Sequence, residues 1–151
     1  QKLADGQYDA IILACAGLER LSLKKHITEE FTFEKVLPAA CQGVIGIECL
    51  DNRPELKALL KRLQDPVAAL TTAAERSMVQ VLGASCQSPV ATYASIEAEN
   101  ITLIGLVASI NGDKVIREVA SGKASAARSI GEGLAEKLLA KGARELLEYT
   151  A

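Results

Sequence analysis

Aromatic residues are scarce in this sequence, which has no tryptophan, three tyrosines and two phenylalanines among 151 residues. A core must therefore be built from Leu, Ile, Val and Ala, and a surface that stacks nucleic-acid bases on aromatic rings is not expected. An excess of basic charge is also missing, because 17 Lys and Arg face 19 Asp and Glu. Without a basic stripe to follow phosphates, the sequence predicts no nucleic-acid partner.

Long hydrophobic runs and histidine are equally rare. No run of about 18 uncharged apolar residues is present, so we expect no transmembrane helix and no membrane partner. The only histidine is His26, and no C-x-x-C pair exists, so we expect no metal site. Four cysteines without an export signal predict reduced thiols in a cytoplasmic protein. Because the chain opens at Gln1 without an initiator methionine, we expect it to be the C-terminal part of a longer protein.

The first third of the chain alternates an apolar run with helical spacing. Residues 8–14 are typical of a strand buried on both faces of a parallel α/β sheet. Helical spacing follows over residues 16–21, which places Arg20 near the sheet edge where open α/β sheets bind ligands. Residues 44–50 form a second strand candidate. This part of the chain therefore predicts an α/β arrangement.

Two helices with clear start signals come next. The first is predicted over Pro54–Leu63, with the proline in its first turn. The second has Asp65 as its N-cap, Pro66 at its first position and Gly83 as its stop. Its apolar residues recur at spacings of three and four, as expected of an amphipathic helix.

The rest of the chain has the pattern of a small α+β domain. Strand-like segments at 90–96, 101–109 and 114–120 predict an antiparallel three-stranded sheet, with Asn111-Gly112 as a two-residue hairpin turn. A helix is expected from Ser125 to Lys141, with a last turn over 143–148. Helices on one face of such a sheet define an α+β domain.

Cys86 is the most interesting candidate for chemistry. It lies in a loop between a helix and a strand, where an exposed thiol acts as a nucleophile, although buried cysteines more often serve as small apolar fillers. Cys15 and Cys49 fall in apolar runs and are predicted fillers, while Cys41 is open between the two roles. Arg20 either clamps a carboxylate or is a solvated helix residue. The pair Glu75-Arg76 is predicted to form a surface or inter-domain ion pair.

Four stretches together resemble the C-terminal half of the porphobilinogen deaminase (hydroxymethylbilane synthase) family. They are residues 9–20 (DAIILACAGLER), 37–48 (LPAACQGVIGIE), 72–76 (TAAER) and 85–90 (SCQSPV). Their order and spacing match the family across essentially the whole chain.

The resemblance implies a transferase of tetrapyrrole and heme biosynthesis that joins four porphobilinogen molecules head to tail and releases ammonia. Cys86 matches the family cysteine that carries a covalent dipyrromethane cofactor through a thioether. Arg20 matches an arginine that binds pyrrole carboxylates, and Gly17 is expected beside it at the substrate. The resemblance places the catalytic aspartate in an N-terminal half outside this chain, so no catalytic residue is expected here. The complete protein is expected to be a monomer.

The same resemblance implies a fold class and a domain map. Residues 1–38 are expected to end a second α/β domain and 39–63 to return to a first, both being remnants of periplasmic-binding-protein-like domains. Residues 66–151 are expected to form the α+β domain that bears the cofactor cysteine. The family usually has Gly-Gly where this chain has Ala84-Ser85, and a glycine where it has Cys41. Two alternatives stay open, a non-catalytic ligand-binding module on the same scaffold and a thiol redox sensor.

Overall fold

The computed structural model describes residues 1–148, which divide into two units. The first unit, Gln1–Thr32, contains helix α1 (Cys15–Arg20) and a single 3-10 turn at Lys24–His26. The second unit begins at Phe33 and holds the remaining helices and all three described strands. Helical spacing after residue 15 is thus confirmed, and the helix is short.

The two strands expected in the first third of the chain are absent from the described residues. Residues 8–14 and 44–50 form no ladder, and Ile12 and Ile45 are 74% and 87% exposed. A strand requires a neighbour for its N–H and C=O groups, and the only strand pairs in residues 1–148 are those of the second unit. An apolar run therefore indicates a preference for burial but does not supply the neighbouring strand. The assignment of these residues to periplasmic-binding-protein-like domains stays a prediction.

The two helices with clear start signals are confirmed. Helix α2 spans Pro54–Lys61 and helix α3 spans Pro66–Leu82. The Asp65 carboxylate caps α3 by accepting a hydrogen bond from the backbone N–H of Ala68 at 2.8 Å. Gly83 ends α3 in the left-handed conformation, with φ of 66°.

The antiparallel sheet is confirmed, with strand order β1-β2-β3. Its strands are β1 (Val90–Glu97), β2 (Asn100–Ala108) and β3 (Val115–Lys123). Burial alternates strictly along β2, so one face of the sheet is fully buried and the other is only partly covered. The β2–β3 connection is wider than a two-residue hairpin, because it runs from 109 to 114 and is closed by the N–H of Ser109 donating to the carbonyl of Lys114 at 2.8 Å.

Helices α3 and α4 (Ala127–Ala140) cover one face of this sheet, and α5 (Ala143–Glu148) packs beside them. A 3-10 turn at Ala124–Ala126 leads into α4. The centre of the core contains fully buried side chains from α3, β2 and α4: Met78, Ile101, Leu103, Val107, Leu134 and Leu138. The second unit is therefore an α+β domain with helices on one sheet face, as the sequence pattern predicted.

Candidate functional site

The end of α3 determines where the Cys86 loop begins. The N–H groups of Gly83 and Ala84 donate to the carbonyls of Gln80 and Val79, at 3.1 and 3.2 Å. These bonds satisfy the last helical carbonyls and turn the chain sharply away from the helix axis. The loop then has only six residues, 84–89, before β1 starts.

Cys86 lies at the tip of a turn formed by Ser85–Ser88. The backbone N–H of Ser88 donates to the Ser85 carbonyl at 3.1 Å, and the N–H of Ser85 donates to Ser88 Oγ at 3.0 Å. The N–H of Gln87 also donates to Ser85 Oγ, at 3.3 Å. Two serine hydroxyls thus hold the turn from both sides, and Cys86 is a free, exposed cysteine between them.

The two residues that replace the family's usual glycines do not strain this loop. Neither Ala84 nor Ser85 has a positive φ, so the left-handed freedom of glycine is not used at either position. Ser85 adds a hydroxyl that accepts from the turn, which a glycine lacks.

The other three cysteines are less accessible than Cys86. Cys15, Cys41 and Cys49 are half-buried and free. Cys41 is unusual because it has a φ of 60°, in the left-handed region, where the family usually has a glycine. Burial, reinforced by the nearby charge of Glu75, raises the pKa of the Cys41 thiol. Cys41 is consequently a poorer thiolate nucleophile than an ordinary cysteine.

Glu75 overturns the ion-pair prediction for Glu75-Arg76. Its side chain is buried, whereas Arg76 is exposed on the outside of α3. Glu75 Oε2 accepts from the N–H of Cys41 at 2.6 Å, and Oε1 accepts from the N–H of Ala94 at 2.8 Å. Burial raises the pKa of Glu75, and the two backbone hydrogen bonds oppose that rise. Sequence reasoning missed this role, because both donors are distant along the chain.

The first unit carries the other two candidate residues. Arg20 is exposed and ends α1, and Gly17 lies three residues earlier on the same helix. A Cβ at Gly17 meets nothing within 4 Å, so the surface there is open. Nearby, Lys24 donates to Glu19 at 2.7 Å, an exposed pair that raises the lysine pKa. Gly17 and Arg20 thus share one helix, while Cys86 belongs to the second unit.

An open groove of about 1040 Å³ lies in the second unit between residues 43–49, α2 and α3. Most of the charged residues that line it are basic. Asp65 is acidic, and four are basic: Lys57, Lys61, Arg76 and Arg128. Sequence reasoning did not identify this groove, because its walls come from separate elements. Cys86 is not part of its lining.

The described residues contain no cluster of three or more His, Cys, Asp or Glu side chains arranged to hold a metal ion. Within residues 1–148, none of the helices has both the length and the apolar character needed to cross a bilayer.

Two family models match the chain. Residues 1–58 match "Porphobilinogen deaminase, dipyromethane cofactor binding domain", and residues 69–140 match "Porphobilinogen deaminase, C-terminal domain". A porphobilinogen deaminase from Thiobacillus denitrificans is 43% identical over 148 residues, covering 98% of this chain and 48% of the relative. One from Chromobacterium violaceum is 46% identical over 147 residues, covering 97% and 48%.

The second unit is thus an α+β domain that presents an exposed cysteine between its longest helix and its sheet. The chain belongs to the porphobilinogen deaminase family. It spans about half the length of the curated relatives that it matches.

Proposed function

We propose that this chain is the cofactor-bearing half of a hydroxymethylbilane synthase, a transferase that joins four porphobilinogen molecules into a linear tetrapyrrole and releases ammonia. The observation that carries the proposal is the placement of Cys86. Its thiol is exposed at the tip of a turn held by Ser85 and Ser88, inside the region that matches the family's C-terminal domain. A tether needs an accessible sulfur on a defined backbone, and this turn supplies both.

Cys86 is the residue that would hold a dipyrromethane group, and its surroundings fit that role. The thiol is exposed and can therefore be reached from solvent. The Cys86 sulfur would hold the group through a thioether to a pyrrole methylene carbon. When bound, this group supplies the pyrrole carbon to which the first porphobilinogen is joined.

Arg20 and Gly17 are proposed to contact substrate. Arg20 is an exposed arginine, and each porphobilinogen brings two carboxylates that a guanidinium can bind in a bidentate manner. The open surface at Gly17 lets a ring approach the backbone of the same helix. This part of the chain lies in the region that matches the family's cofactor-binding domain model.

The remaining parts of the proposal concern the complete protein. We assign residues 1–38 to a second α/β domain, 39–63 to a segment that returns to a first, and 66–151 to the cysteine-bearing third domain. The acid–base aspartate lies outside this chain. The complete enzyme is a cytoplasmic monomer.

The experiment uses a chimera, because the relatives are about twice as long as this chain. The part of the Chromobacterium violaceum relative that precedes the matched region is fused ahead of Gln1. Intact-protein mass spectrometry is expected to show one added group with the mass of two linked pyrrole units, and bilane is expected to form from porphobilinogen. Cys86→Ser is expected to abolish both, whereas Cys49→Ser, at a half-buried cysteine, is expected to retain both.

Two results contradict the proposal. Wild-type turnover by the Cys86→Ser chimera rules out Cys86 as the tether. A folded wild-type chimera that binds porphobilinogen without the added mass and without turnover instead identifies a non-catalytic binding module.

A further inference from the structure

The second unit begins with the segment Phe33–Cys41, which we call the strap. It passes around one edge of the sheet, from the face opposite the helices to α3. At its first end, the Phe33 ring stacks on Tyr93 of β1, with centroids 3.5 Å apart. Arg117 of β3 donates to the carbonyls of Phe33 and Glu34, at 3.3 and 3.1 Å. Because Thr92 and Ala94 face the helices, Tyr93 faces away from them, and the strap starts on the sheet face opposite the helices.

The strap then passes the outer edge of β1 and ends beside α3. The N–H of Thr92, on that edge strand, donates to the Pro38 carbonyl at 2.9 Å. The next outward N–H along the strand belongs to Ala94, and it donates to Glu75 Oε1 instead. The second oxygen of the same carboxylate accepts from the N–H of Cys41, the last residue of the strap.

Glu75 therefore bridges two backbone donors on different segments, one at the end of the strap and one on β1. A carboxylate suits this position because it is an acceptor at both oxygens, whereas a carboxamide accepts at one oxygen only. Cys41, whose N–H donates to the carboxylate, has a φ of 60°, a conformation that is costly for a residue other than glycine. Such a strained residue persists only where its surroundings hold it.

We propose that Glu75 is a positioning residue that locks the strap onto the domain carrying Cys86. Glu75 and Cys86 are carried by one continuous element, because α3 holds Glu75 and leads directly into the Cys86 turn. The consequence for turnover rests on the proposed function. The lock itself does not.

The lock is tested by hydrogen exchange, followed by NMR on the 151-residue chain. In Glu75→Gln, the amides of Cys41 and Ala94 face a single carbonyl oxygen and a competing NH₂ donor. Exchange of the Cys41 amide is expected to accelerate about tenfold or more, since a hydrogen bond to a charged group is lost. The amide of Leu103, in the central strand, is expected to keep its rate. Glu136→Gln, at an exposed glutamate on α4, is the matched control and is expected to change neither rate.

A pair of variants on the strap side leaves the buried carboxylate intact, so the test does not depend on Glu75→Gln folding. Cys41→Val places a β-branched residue at a positive φ and is expected to accelerate exchange at residue 41. Cys41→Gly accepts that φ without strain and is expected to preserve slow exchange there. Unchanged exchange at residue 41 in both Glu75→Gln and Cys41→Val overturns the lock. An equal acceleration at Leu103 overturns it as well, because Glu75 is then a general stability determinant.

The functional consequence is tested in the chimera described above. With the pyrrole group attached to Cys86, Glu75→Gln is expected to lower the turnover number about tenfold and Glu136→Gln to leave it unchanged. Wild-type turnover with a loosened strap overturns the positioning role and leaves the proposed function standing. If the wild-type chimera itself is inactive, the proposed function fails, and the exchange rates alone decide whether Glu75 locks the strap.

Discussion

The contact between α3 and α4 leads to a sharp prediction at Gly131. This residue faces α3 so closely that an added Cβ lies 2.0 Å from Ser77 Oγ and 2.1 Å from the Ala74 carbonyl oxygen. The first obstacle is a side chain already engaged, because Ser77 Oγ donates to the Arg128 carbonyl at 2.8 Å. The second is helix backbone, which cannot rotate away. Gly131→Ala therefore has to push the two helices apart.

The magnitude follows from two opposing contributions. Overpacking of a tight interior contact costs roughly 1–3 kcal/mol, and disturbing the Ser77 hydrogen bond adds about 1 kcal/mol. Alanine regains about 1 kcal/mol through its better helix propensity. The net expectation is a loss of about 2 kcal/mol in the free energy of unfolding.

Gly133, two residues further along α4, is the matched control. A Cβ there meets nothing within 4 Å, so Gly133→Ala keeps only the propensity gain and is expected to stabilise by about 1 kcal/mol. Urea unfolding followed by far-ultraviolet circular dichroism compares the two variants with the wild type. The reasoning is refuted if Gly131→Ala unfolds at the same urea concentration as Gly133→Ala or at a higher one.

Four further outcomes are expected. Burial raises the pKa of Glu75, so the folded state binds this proton more tightly than the unfolded state. The wild type should therefore lose stability relative to Glu75→Gln as the pH rises from the ordinary glutamate pKa through the raised one. Denaturant titrations across this pH range check the prediction, and a rise in relative stability with pH contradicts the assignment. Under limiting iodoacetamide, Cys86 should be alkylated first and Cys41 last, as read by peptide mass spectrometry; faster labelling of Cys41 refutes the stated accessibilities and thiol pKa. Native-state hydrogen exchange should be faster at amides 8–14 than at Leu103, and equal protection in a monomer contradicts the absence of a strand there. The 151-residue chain alone should not convert porphobilinogen, because its proposed acid–base aspartate lies elsewhere; ammonia release well above the uncatalysed background places that group within these residues.

Local signals were sufficient wherever the determinants are adjacent in sequence. Asp65, Pro66 and Gly83 set the ends of α3 because cap, first turn and left-handed stop act within a few residues. The three strands and their order followed from apolar patterning interrupted by turn residues. Cys86 was identified for the same reason, since the turn that exposes it lies entirely within residues 85–88.

Features that depend on distant partners were not predictable. The burial of Glu75 depends on N–H donors 34 and 19 residues away, at Cys41 and Ala94, and no pattern along α3 marks it. The apolar runs at 8–14 and 44–50 indicate a preference for burial, but a ladder also requires a neighbouring strand. Asn111-Gly112 marked the correct reversal of the chain, yet Asn111 does not adopt the positive φ of a two-residue turn, and the loop is wider.

The strap also bears on how the second unit avoids self-association. β1 is an edge strand, and bare edges recruit strands from other molecules. Its outward N–H groups at Thr92 and Ala94 are already occupied, one by the Pro38 carbonyl and one by the Glu75 carboxylate. A truncated chain that starts at Phe33 keeps both N–H groups occupied. One that starts at Gln42 loses the Pro38 carbonyl, which uncovers the N–H of Thr92, and loses the Cys41 N–H that donates to the Glu75 carboxylate. The position of such a cut, more than the number of residues removed, therefore decides whether the β1 edge of the isolated domain stays covered.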